Sequence, residues 1–176
     1  AALNEMIKIF ESEGIKTEIV HIGNKDIRGC IACNYCKENH QCVFNDIVNE
    51  ASTIFKECDG ILIGSPVYYA GMNGTLKSFL DRFFNSSYVG KSMKVGTCIV
   101  SSRRAGSTTT LDEIYHYFAI SNMPIVTSTY FNEVHGTKKD DIYLDQEGIQ
   151  TVPEASSPPA YAAPIQDVPG RDRNLH

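Results

Sequence analysis

The chain has 176 residues, 42% of them apolar, and a formal net charge of -5 with both signs mixed along its length. That suffices for one domain with a proper core, and it argues against nucleic acid as the main partner. No run of about 18 apolar residues occurs, so no membrane span is expected, and no charged-then-apolar leader opens the chain, so a reduced, cytoplasmic setting is expected.

Residues 1–13 predict a helix, with Leu3, Met6, Ile7 and Phe10 on one face and Gly14 as its stop. Residues 15–22 predict a strand carrying Ile15, Ile19, Val20 and Ile22. A cysteine-rich segment follows. Residues 46–57 predict a second helix, capped by Asp46, with Ile47, Ala51, Ile54, Phe55 and Cys58 on one side. The apolar run 61–63 reads as a buried parallel strand, followed by a loop holding Tyr68 and Tyr69. Asn73 then caps a helix whose face is Leu76, Phe79, Leu80 and Phe83. Residues 94–100 predict a strand, 101–107 a loop, and 109–121 a helix with Leu111, Ile114, Tyr115 and Phe118 inward. Tyr115, Tyr117 and Phe118 read as core or dimer surface. Residues 124–131 predict the last strand. Strand and helix alternating at this spacing imply a parallel sheet covered on both faces, an α/β fold. Residues 151–176 hold five of the seven prolines and show no apolar period. They read as a disordered tail behind a domain of residues 1–150.

Three groups of residues carry chemistry. The first is the loop Ser65-Pro66-Val67-Tyr68-Tyr69-Ala70-Gly71, at the carboxyl end of a predicted strand, where open α/β sheets bind ligands. Tyr68 and Tyr69 offer flat faces and hydroxyl tips, Pro66 shapes the turn, and Gly71 and Gly74 let backbone approach a flat ligand. The second is Ser101-Ser102-Arg103-Arg104-Ala105-Gly106, the next loop expected at that edge, offering cations and N–H donors. The third is Cys30, Cys33, Cys36 and Cys42, a C-x2-C-x2-C-x5-C run. Its first three thiols share the compact spacing of ferredoxin segments, and Cys42 can supply a fourth corner. Four-cysteine zinc sites come as two well-separated pairs and fit this spacing poorly. An iron–sulfur cluster, a structural zinc and four reduced thiols all stand as readings. His40 lies inside this run and reads as solvated. His21, His116, His135 and His176 show no partner at ligand spacing, and no Ser-His-Asp arrangement stands out.

Ser65-Pro66-Val67-Tyr68-Tyr69 followed by Leu76-Lys77-Ser78-Phe79-Leu80-Asp81-Arg82 resembles the flavin-contact segment of the NADPH-dependent FMN reductase and iron–sulfur flavoprotein group. The resemblance spans about residues 1–148. It implies a flavodoxin-like, doubly wound three-layer α/β/α fold. It implies an FMN-binding oxidoreductase, with NAD(P)H or a protein as electron donor and a small molecule or protein as acceptor. It implies a homodimer or homotetramer. Ser65, Pro66, Val67, Tyr68, Tyr69 and Gly71 would hold the isoalloxazine ring. Ser101, Ser102, Arg103, Arg104 and Gly106 would approach its pyrimidine end. Iron–sulfur flavoproteins carry the compact cysteine pattern with a [4Fe–4S] cluster, and cluster-free relatives keep cysteines there too. The alternatives to a cluster-free reductase are therefore a cluster-to-FMN electron relay and a non-enzymatic module with cysteine-held zinc. Flavodoxin-like sheets run in the order 2-1-3-4-5, with a central first strand. That strand and the phosphate loop have no counterpart ahead of the first predicted helix. The chain therefore reads as a fragment of a longer protein, or as a truncation that does not fold alone.

Overall fold

A computed structural model describes residues 1–156. Its elements run α1 (Ala2–Ser12), α2 (Tyr35–Asn39), α3 (Ile47–Lys56), β1 (Gly60–Tyr68), β2 (Gly71–Met72), α4 (Gly74–Ser86), β3 (Val95–Ser102), α5 (Ser107–Ile120), β4 (Glu133–His135), a 3-10 turn (Asp141–Leu144) and α6 (Gln146–Ser156). The described strands form one sheet in the order β2-β1-β3-β4. β1, β3 and β4 are parallel, and β2 folds back antiparallel on β1.

Side-chain alternation along the central strands makes the three layers. In β1, Ile61 and Ile63 join a cluster with Val48, Phe55, Leu76, Leu80, Leu111 and Phe118 from α3, α4 and α5. Leu62 faces the other way, towards Met6, Phe10 and Val152 of α1 and α6. β3 repeats the pattern, with Cys98 and Val100 on the first side and Ile99 on the second. Each fully buried leucine here, such as Leu80 or Leu111, contributes about 1.5–3 kcal/mol by leaving water. Gly96 of β3 has no room for more than hydrogen, because a Cβ there would lie 2.7 Å from the Phe118 ring. Phe118 is core, as expected. Tyr117 packs beside it, and its hydroxyl bonds to Asp81 and Lys77 of α4. Burial first, and the Asp81 carboxylate second, push that phenol up to about 12.

Several expected boundaries move. Residues 15–22 form no strand: Ile15 and Ile19 are exposed, while Val20 and Ile22 lean on the α3–α5 side of the core. A strand needs a ladder partner, and in a 2-1-3 order its partner is the first strand. Among the described residues no strand precedes α1, and β1 pairs along Gly60–Pro66 with β3 alone. β1 and β3 run on to Tyr68 and Ser102, so parts of both expected loops belong to the sheet. The last strand is Glu133–His135 rather than residues 124–131. Ile125 makes a single bridge to Gly96. The chain then leaves the sheet and returns at Asn132, whose carbonyl accepts from the Val100 N–H (3.0 Å). α5 begins at Ser107, two residues ahead of the expected start. α6 carries the fold past residue 150 to Ser156, and Thr151 and Val152 are buried, so the expected tail does not begin at 151. The rest of that tail, residues 157–176, lies outside the described residues.

Candidate functional site

The carboxyl ends of β1, β3 and β4 lie side by side, with Pro66 opposite Ser101 and Ser102 opposite His135. β1 and β2 form a tight hairpin there, pairing Val67 with Met72 and Tyr68 with Gly71. Its two tip residues, Tyr69 and Ala70, both take left-handed backbone (φ 51° and 58°). That is the geometry of a type I′ turn, which normally uses Asn-Gly. Bulky residues adopt it only when surroundings enforce it. Here the Glu113 carboxylate of α5 accepts the Met72 N–H (2.9 Å) and lies beside Gly71. At the hairpin base, Ser65 is buried; its hydroxyl accepts the Asn73 N–H (3.1 Å) and donates to the Pro66 carbonyl (2.8 Å). Asn73 in turn caps α4, accepting from Thr75 and Leu76. Tyr69 is fully exposed at the tip and Tyr68 more than half exposed.

The second loop meets the first. Gly106, in left-handed backbone (φ 94°), caps α5 and lies against Ala70 and Val67. Behind it the buried Ser107 hydroxyl donates to Ser102 (2.9 Å). Arg103 and Arg104 are exposed, and neither has an ion-pair partner among the described residues. The structure thus brings Ser65, Pro66, Val67, Tyr68, Tyr69, Gly71, Ser101, Ser102, Arg103, Arg104 and Gly106 to one edge, with Ser65 and Ser102 buried and Pro66 exposed.

His135 does have a partner, which the sequence did not reveal. It ends β4 beside Ser102, and its Nδ1 lies 3.0 Å from Asp145. The Asp145 carboxylate also accepts the His135 N–H (2.7 Å) and the Gly148 N–H at the start of α6 (3.0 Å). Burial alone would raise the Asp145 carboxyl, but the Gly148 and His135 N–H groups and the His135 ring outweigh it and hold it below its usual value. A depressed carboxyl stabilises the fold above its unfolded value, near 3.8, and loses that contribution as pH falls through the folded value. Asp145→Asn should cost about 1 kcal/mol at neutral pH, the scale of a helix cap. Urea melts of both proteins should converge as pH is taken below 3.8. A gap that persists unchanged in acid would rule out the charged carboxylate as the cause.

The four cysteines line one small cavity with Arg82 and Asn85 of α4. Cys30 and Cys33 are exposed, Cys42 is half-buried and Cys36 is buried. The segment coils tightly, with Ala32, Asn34 and His40 all at positive φ. Asn49 of α3 pins its end: its Oδ1 accepts the Cys42 N–H (2.9 Å) and its Nδ2 donates to the Cys42 carbonyl (3.0 Å). At its start, Gly29 sits by Ser78, one turn into α4.

Arg82 organises this end, and its role was hidden in the sequence. Its side chain is fully buried, and all five N–H groups are used. Nη1 and Nη2 form a fork on Asp46 (2.7 and 2.8 Å) and reach the carbonyls of Arg28 (3.1 Å) and Phe44 (3.2 Å). Nε donates to Cys42 Sγ (3.2 Å). Burial opposes the guanidinium charge, and the Asp46 and Cys42 bonds more than offset it. One turn on, Asn85 Nδ2 donates to Cys36 Sγ (3.6 Å). The available signal was position: Arg82 shares the face of Phe79, Phe83 and Ser86, all buried. Among the described residues no three His, Cys, Asp or Glu groups already converge as a metal-ligand set. The donor chemistry nevertheless fits a thiolate-held iron–sulfur centre: four soft ligands, N–H donors to two sulfurs, and a buried cation beside them.

The sequence pattern of NADPH-dependent FMN reductases matches residues 1–138. An iron–sulfur flavoprotein of Methanocaldococcus jannaschii is 34% identical over 161 residues, covering 85% of this chain and 81% of its own. An iron–sulfur flavoprotein of Methanosarcina thermophila is 27% identical, covering 85% and 80%. A flavodoxin structure from the domain Archaea superposes with a TM-score of 0.52 at 15% identity, covering 89% of each chain, which bears on the fold alone. With an α/β/α fold of flavodoxin type and a matching pattern over most of its length, the chain belongs to the NADPH-dependent FMN reductase family, with iron–sulfur flavoproteins among its relatives.

Proposed function

We propose that this chain is an FMN-binding oxidoreductase in which Cys30, Cys33, Cys36 and Cys42 hold an iron–sulfur centre near the flavin loops. The observation that carries this is α4. Its capped start closes the flavin hairpin, and its Arg82 and Asn85 reach the cysteine sulfurs. Asn73 and Arg82 are nine residues apart, about 14 Å along a helix. When bound, FMN accepts a hydride as an electron pair and releases electrons singly, and a four-cysteine iron–sulfur centre takes them one at a time.

The chain's own residues bind and orient. Tyr68 and Tyr69 present aromatic faces at the hairpin. Arg103 and Arg104 bring positive charge to the neighbouring loop, which favours a reduced, anionic ring. The Ser65 and Ser102 hydroxyls, both engaged within the protein, keep the two strand ends rigid. NAD(P)H or a protein supplies the electrons in this reading, and a homodimer or homotetramer completes the pocket.

Tyr68→Ala should weaken FMN binding by about 1 kcal/mol or more, roughly fivefold, measured by fluorescence titration. Unchanged affinity in both Tyr68→Ala and Tyr69→Ala would remove the hairpin from the flavin site. Protein purified without oxygen should contain about four irons and four labile sulfides per chain. Cys36→Ala should lose them and keep the flavin. Flavin without iron would make this a cluster-free reductase. Stoichiometric zinc would make the cysteine segment a structural clip.

A further inference from the structure

The four cysteines are not equivalent. Cys36 and Cys42 are the less exposed pair, and each receives an N–H from α4, Asn85 Nδ2 at 3.6 Å and Arg82 Nε at 3.2 Å. Cys30 and Cys33 are exposed, and among the described residues no hydrogen bond reaches either sulfur. Arg82 and Asn85 are three residues apart, so they project from one face of the helix. Arg82 cannot swing away. Its guanidinium is clamped by Asp46 and by the carbonyls of Arg28 and Phe44, and its face lies 5.0 Å from the Phe44 ring. Cys42 is fixed from the other side by the Asn49 amide.

We propose that Arg82 and Asn85 are positioning residues that anchor one half of the cysteine centre and set its reduction potential, leaving Cys30 and Cys33 as its open half. The inference rests on the reading of the four cysteines as iron–sulfur ligands. Its physics is simple. One electron added to a thiolate-held centre makes it more negative, and N–H groups aimed at the sulfurs stabilise the added charge. Arg82 brings a full positive charge as well, buried where screening by water and salt is weak. Asp46 offsets part of that charge, but it sits on the far side of the fork from the Nε that faces Cys42. Removing either donor therefore makes the centre harder to reduce.

The test uses the full chain purified anaerobically with FMN, reduced stepwise by dithionite in the presence of mediators and followed by electron paramagnetic resonance. Arg82→Lys keeps the charge and loses the fork and the Nε–sulfur bond. At a fixed potential its ratio of reduced to oxidised centre should fall about tenfold, about 59 mV for a one-electron couple. Asn85→Leu should move the same way by less, with FMN affinity unchanged in both. Asn85 is exposed and leaves the Arg82–Asp46 pair intact, so it decides the matter if Arg82→Lys does not fold. Iron-loaded variants whose potential equals that of the wild type overturn this inference and leave the proposed function standing. An iron-free wild type overturns both.

Discussion

Asp46→Ala should destabilise the protein by about 3–5 kcal/mol, the range found when one partner of a buried ion pair is removed. The side chain of Arg82 is fully buried, whereas Asp46 keeps 29% of its side-chain surface in water. Removing the carboxylate leaves the guanidinium in the interior with two carbonyls and a sulfur as its remaining acceptors. Neither carbonyl carries a charge, and the Phe44 ring, 5.0 Å from the guanidinium carbon, covers one face of the group without accepting a hydrogen bond. Asp46 is also the cap of α3, accepting the Val48 N–H at 3.1 Å, which adds about 1 kcal/mol to the loss. Asp46→Asn separates the two roles. It keeps an acceptor for Val48 and loses the charge, so it should fall between the wild type and Asp46→Ala. In urea the midpoint should drop with little change in slope. The double variant Asp46→Ala, Arg82→Met should recover part of the loss, because it no longer buries an unpaired cation. A loss under about 1 kcal/mol in Asp46→Ala would mean the pair behaves as an exposed one.

What was readable in the sequence follows from where each signal is stored. The α4 face and its Asn73 cap are local patterns, and both appear as expected. The core run 61–63 is likewise local, and alternation along it places the two helical layers. The hairpin was not readable, because Tyr69 and Ala70 are poor type I′ residues; Glu113 and Gly106, distant in sequence, enforce the turn. Residues 15–22 have a strand's composition, but no composition supplies a neighbour, and among the described residues none stands beside them. The β4 ladder holds three residues with one buried apolar side chain, too little for a period. The stretch 124–131 before it, rich in β-branched and aromatic residues, has the stronger strand composition. Nothing near Arg82 in the sequence signals its burial, because its compensating carboxylate lies 36 positions away. The cysteine spacing was plain, whereas the α4 donors that distinguish Cys36 and Cys42 from Cys30 and Cys33 exist only in three dimensions.

Gly106→Ala should both destabilise the fold and weaken FMN binding. At φ 94° the residue sits in backbone space that costs an alanine about 1–2 kcal/mol. An added Cβ would stand 2.8 Å from the Ala70 Cα and 3.1 Å from Val67 Cγ1. The nearer atom is backbone, at the tip of a hairpin already held in left-handed conformation, so no rotamer change relieves the contact. Overpacking of this kind costs a further 1–3 kcal/mol or so. The relief available is for the hairpin and the start of α5 to separate, and those are the two loops assigned to the flavin. FMN affinity should therefore fall at least about tenfold, about 1.4 kcal/mol, and the thermal midpoint should drop with it. Gly74→Ala is the matched control for stability. Gly74 opens α4 just beyond the same hairpin, and a Cβ there meets nothing within 4 Å. Alanine there should stabilise by about 0.4–1 kcal/mol, chiefly by restricting the unfolded chain. If FMN lies against the Gly74 backbone, that variant will melt higher and yet bind flavin less tightly. Gly106→Ala retaining wild-type stability and wild-type FMN affinity would show that the two loops are not mechanically joined at the flavin.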